Sequence, residues 1–150
     1  MGKGTQHMHD WTPTKLQAIV DAKRLASYTS HIVKNVNVFK PEDDFNDDLR
    51  TELVHTSRSI YTSAWSANRI SVKDNETSEE LFRNRLDLQT ISIRLCGDLL
   101  ALIEIAWSQF HLPSKKVKNW GSMVLDVESK LIGWHKSDTE RFREYKKKHN

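Results

Sequence analysis

The sequence predicts an all-α protein, an antiparallel up-down-up-down four-helix bundle. Three observations carry this. Apolar residues recur at steps of three and four along four separate stretches, the spacing of one buried helix face. No stretch alternates with the period of two that a half-buried strand requires. The breaks are short, roughly three to eight residues, which favours antiparallel neighbours.

The chain divides into a leader at 1–11, a bundle at 12–137 and a basic tail at 138–150. Residues 1–9 hold Gly, Lys, Thr, Gln and two His and read as a disordered leader. The first helix is expected to enter at Thr12 and Pro13, because proline suits the first helical position. Leu16, Ile19, Val20, Ala26, Ile32, Val33 and Val36 would line its buried side. It should stop before Pro41, since a residue preceding proline resists helical geometry.

Helix two opens with Glu42, Asp43, Asp44, Asp47 and Asp48, carboxylates that complement the positive end of a helix dipole. Leu49, Leu53, Thr56, Ile60, Ala64 and Ala67 supply its seam. Helix three is expected to begin with a capping box, Thr77 followed by Glu80. Leu81, Leu88, Leu95 and Leu102 continue it at heptad spacing, beside Ser92, Leu99 and Ala106. Ile91, Ile93, Leu100, Ile103 and Ile105 widen the apolar surface past one stripe, which predicts a central helix or a second buried face in an oligomer. Pro113 and Ser114 lead into helix four, with Val117, Trp120, Val124, Val127, Leu131 and Trp134 as its seam.

With 150 residues the chain fits one domain able to bury a core without disulfides or metals. Cys96 is its sole cysteine and sits among apolar residues, so it reads as a core residue in a reducing cytoplasm. No run approaches a membrane span, and the first ten residues hold no signal-peptide core.

The formal charge of +3 is polarised. Residues 41–48 carry −5, residues 113–136 carry +3, and residues 137–150 carry +2. Lys115, Lys116 and Lys118 open helix four, where the helix dipole disfavours cations by a few tenths of a kcal/mol each, roughly 0.3 upward. That placement points to another pressure, and phosphate contact is the natural one. Lys130 and Lys136 follow on the same helix, then Arg141, Arg143, Lys146, Lys147 and Lys148 in the tail. These ten are the candidate nucleic-acid-binding residues, each weighed against the plainer reading of a solvated surface cation. Five tryptophans, Trp11, Trp65, Trp107, Trp120 and Trp134, favour core or interface packing over base stacking.

Catalytic motifs do not emerge. The histidines (His7, His9, His31, His55, His111, His135 and His149) form no H-E-x-x-H pair. No phosphate-binding or dinucleotide glycine loop, nucleophile elbow, EF-hand loop or di-metal carboxylate set is present. The expectation is a protein without catalytic residues, metal or cofactor.

Two stretches resemble the accessory variability determinant (Avd) family, small four-helix partners of reverse transcriptases in diversity-generating retroelements. The first holds Phe39, Lys40 and Pro41, then Asp48, Leu49, Arg50, Thr51, Glu52 and Leu53, closing at Ser66, Ala67, Asn68 and Arg69. The second runs from Val127 through Leu131, Ile132, Gly133, Trp134, His135 and Lys136, similar to the family's ending of leucine, small residues, tryptophan and a base. The likeness covers about residues 16–137. It implies a ring-like homopentamer in the cytoplasm of a bacterium or phage host, binding template RNA or DNA and docking a reverse transcriptase. The four-helix proteins encoded in ribosomal-RNA intervening sequences share that fold and are the runner-up. An interaction scaffold in a bacterial defence system is the alternative without nucleic acid.

Overall fold

Each of the four apolar runs becomes a helix. The computed structural model describes residues 16–40, 47–72 and 78–149, and every regular element among them is helical. The elements are α1 (Gln17–Lys34), α2 (Asp47–Arg69), α3 (Glu79–Phe110) and α4 (Ser114–His149). α1 packs on α2 and α4, and α3 packs on α2 and α4, so each helix has two neighbours. No described helix is long and apolar enough to cross a membrane.

Ile19, Leu25, Leu53, Ile60, Leu99, Trp120, Val124 and Leu131 are fully buried between the four helices. Polar pins cross this core. The Trp120 indole Nε1 donates to Thr29 Oγ1 at 3.0 Å, and Ser92 Oγ donates to the Ile60 carbonyl at 2.7 Å. Each satisfies a group that burial would otherwise leave unpaired at a cost of about 1–3 kcal/mol.

α1 ends at Lys34, well before Pro41. Asn35 stops it: its carbonyl accepts from the Val38 and Phe39 amides, and its side chain accepts from Asn37 N at 2.9 Å. A short amide side chain that bonds nearby backbone competes with helix continuation. The seam therefore holds Ala18, Ile19, Ala22, Leu25, Thr29, Ile32 and Val33, while Val36 lies beyond the helix and is exposed. The expected entry at Thr12 and Pro13, the leader, and the acidic residues 42–46 lie outside the described residues.

α3 corrects the sequence reading twice. Its N-cap is Ser78, whose Oγ accepts from Leu81 N at 3.1 Å, whereas Thr77 of the expected capping box lies outside the described residues. The buried register is Phe82, Arg85, Gln89, Ser92, Cys96, Leu99, Ile103 and Ala106, one position past the leucine heptad. Leu88, Leu95 and Leu102 flank that seam half-buried, and Leu81 is exposed.

α4 also exceeds its expected length. The boundary drawn at residue 137 is absent: the helix continues to His149, and its buried face continues through Asp138 and Phe142. Phe142 joins Val72 and Phe82 in a second, smaller core, with the Phe82 and Phe142 rings stacked 5.1 Å apart. A segment with a buried aromatic residue in helical register folds as part of its helix.

Candidate nucleic-acid interface

Helix geometry sorts the ten basic candidates before any contact does. On α4, positions seven apart share one line along the surface. One line reads Lys115, Ser122, Ser129, Lys136 and Arg143, and the next reads Lys118, Leu125, Ile132, Thr139 and Lys146. Neither line holds an acid. Of the carboxylates of α4, Glu140 stands beside the first line and pairs with its Arg143.

This outer face is basic at both ends and apolar in the middle. Leu125 and Ile132 are 54% and 49% exposed. At 1.5 Å per residue, about 27 Å of helix separates Lys118 from Lys136. The cations therefore form no continuous phosphate track along α4.

Lys115, Lys116 and Lys118 are exposed and make no ion pair among the described residues. No acid occupies the first turn of α4. Lys136 and Lys148 are also exposed and outside any described ion pair. The other five candidates are engaged within the chain. Lys130 bridges Asp126 at 2.8 Å and Asp21 of α1. Its hydrogen bonds to Asp126 and Asp21 hold its ammonium above the ordinary lysine pKa. Burial pushes the Asp21 carboxyl up, but bonds from Lys130 and Gln17 outweigh it and leave it below its ordinary value. Lys130 thus links two helices, its ammonium shared between two carboxylates.

In the C-terminal third, Arg141 pairs with Asp138 at 3.2 Å, Arg143 pairs with Glu140, and Lys147 pairs with Glu144 at 3.5 Å. Lys146 lies over the Phe142 ring, 4.8 Å from its centre. What reads as a basic tail is a helix whose cations largely answer local acids and aromatics.

A buried polar network lies beside it. Asp138 accepts from Arg85 Nε at 2.7 Å and from Gln89 Nε2 at 2.6 Å. Arg85 also donates to the Ile70 carbonyl at 2.9 Å and stacks on Trp134, 5.3 Å from its ring centre. Trp134, expected in the seam, is thus half-buried beneath a guanidinium. Among the described residues no three His, Cys, Asp or Glu side chains are placed to hold a metal. The Cys96 thiol is buried, and burial, with Glu128 adding to it, pushes its pKa up to about 12.

The free cations have company from another part of the chain. The Phe39 and Phe110 rings lie 6.1 Å apart, bringing the turn after α1 against the end of α3. Arg50 donates to the Lys40 carbonyl at 2.9 Å and covers the Phe39 ring. Exposed Lys40 and His111 line one cleft with Pro113, which precedes Lys115 and Lys116 by two and three residues. The three-dimensional cluster escaped sequence reading because residues 34–40 and 109–116 are far apart in the chain. Neither a protein-family model, nor a curated protein, nor a solved structure matches this chain.

Proposed function

We propose that this protein is a non-enzymatic nucleic-acid-binding accessory protein, which binds template RNA or its DNA copy and partners a reverse transcriptase in a diversity-generating retroelement. One observation carries the binding half: three exposed lysines without ion-pair partners among the described residues open α4, against its dipole and with no acid in that turn. The likeness of residues 39–53, 66–69 and 127–136 to the Avd family supports the reverse-transcriptase half.

The architecture that goes with this reading is the antiparallel up-down-up-down bundle. Contacts between α3 and α4 run in opposite senses along the two helices. Phe82 meets Phe142, Arg85 meets Asp138, and Thr90 meets His135.

Self-association into a homopentameric ring is part of the proposal. α3 exposes Ile91 and Ile105 (46% and 43%) on a face where Glu80, Asp87 and Asp98 outnumber Arg94. α4 exposes Leu125 and Ile132 between lysines. An acidic-apolar face and a basic-apolar face on one chain favour head-to-tail contact between copies, which closes a ring when the rotation permits. In that arrangement the middle of α4 meets protein and its first turn meets phosphate.

Fluorescence anisotropy with a labelled single-stranded RNA tests the binding half. Reversing Lys115, Lys116 and Lys118 to Glu should weaken binding at least ten-fold while helicity and particle mass stay unchanged. Unchanged affinity would remove this turn from the interface. No RNA binding by the wild-type protein would favour the interaction-scaffold reading.

A further inference from the structure

We infer that the cleft between the turn after α1 and the junction of α3 with α4 is a nucleotide-binding site, which holds a base while the neighbouring lysines hold its phosphate. The inference rests on the nucleic-acid reading above and adds a base pocket to it. The cleft has a volume of about 470 Å³ and is lined by Asn37, Lys40, Gln109, Phe110, His111 and Pro113, over buried Val38. A space of that size lies within the range of small-molecule sites, roughly 300–1,000 Å³.

The lining chemistry matches a nucleotide. The Asn37 and Gln109 side-chain amides each donate and accept, as the edge of a base does. Half-buried Phe110 and exposed His111 offer ring faces for stacking. Lys40 supplies a cation at the cleft itself, and Lys115 and Lys116 stand two and three residues past Pro113. Among the described residues no carboxylate lines the cleft.

His111 adds a conformational observation. Its backbone is left-handed, with φ 51° and ψ 46°, and no other non-glycine residue among those described has a positive φ. It caps α3 at a position where glycine is the common occupant, because glycine alone avoids the steric cost. Here the chain retains an imidazole at a site whose backbone favours having no side chain. His111 lines the cleft.

Anisotropy with single-stranded DNA of about 12 nucleotides, in a base-bearing and a fully abasic form, separates base from phosphate. Wild-type protein should bind the base-bearing strand roughly ten-fold more tightly than the abasic one. The double variant His111→Gly with Asn37→Ala should abolish that preference and leave the salt dependence unchanged, because base contacts release no counterions. AMP measured alongside tells a free nucleotide from a strand residue. AMP binding lost in the double variant, with both strands bound equally, assigns the cleft to a free nucleotide. Equal binding of the two strands with no AMP binding overturns the cleft and leaves the lysine surface standing. A base preference that survives the double variant also overturns it. Failure of both strands and AMP to bind overturns this site and the nucleic-acid reading together.

Discussion

Replacing Asp138 with alanine should destabilise the protein by about 3–5 kcal/mol, the cost of removing one partner from a buried ion pair. The structure sets this magnitude. Asp138 is 1% exposed and accepts from Arg85, Gln89 and Arg141. Without it, the Arg85 guanidinium keeps only the Ile70 carbonyl and the face of Trp134. A cation stripped of its carboxylate in that position costs far more than the lost bonds, since it stays desolvated. Asp138→Asn retains an acceptor oxygen while losing the charge, so it should cost less than the alanine. Urea unfolding followed by far-ultraviolet circular dichroism reads both variants, and the alanine midpoint should fall by roughly 6–20 °C in a thermal scan. Replacing both partners with apolar residues, Arg85→Met with Asp138→Leu, should recover most of the loss. A loss below about 1 kcal/mol for the alanine is what an exposed position in a loose tail shows, and it would refute the network together with the extension of α4.

Three further outcomes follow from named contacts. Cys96, buried and with its thiol pushed up to about 12, should resist thiol reagents in the folded protein at pH 8 and react at the rate of unfolding, so rapid labelling of native protein would contradict its place in the core. Ser78→Ala should cost about 0.5–2 kcal/mol by removing the cap on Leu81 N, and no loss in urea unfolding would show that the cap is idle. Leu125→Asp with Ile132→Asp should reduce the mass found by light scattering without lowering helicity, whereas an unchanged mass would place self-association on another face.

The helices were legible because their periodicity is strong, and the errors in α3 and α4 share one physical cause. Along α3 the leucines at 81, 88, 95 and 102 are more conspicuous than Arg85, Gln89 and Ser92, yet the polar residues occupy the buried register. A polar side chain in a core position reads as a break unless its partner is known, and the partner of Arg85 stands 53 residues away. The same reasoning misplaced the end of α4, where Asp138 looked like the start of a tail. For the candidate interface, the exposed lysines at the start of α4 were visible as a charge cluster. The commitment of Lys130 to Asp21, 109 residues away, was not, because sequence spacing says nothing about pairing between helices. The cleft around His111 required the turn after α1 to meet the end of α3, a contact that no local pattern encodes.

The salt dependence of RNA binding tests the central claim most directly. Lys115, Lys116 and Lys118, with Lys40 beside them, make about four phosphate contacts in this account, which corresponds to roughly a 50-fold loss of affinity for single-stranded RNA between about 50 and 200 mM salt. The Lys115→Glu, Lys116→Glu, Lys118→Glu variant should bind more weakly, with a slope reduced by about two log units per log unit of salt. Affinity independent of salt in the wild-type protein, or a slope identical in the variant, would contradict a phosphate-binding surface at the start of α4.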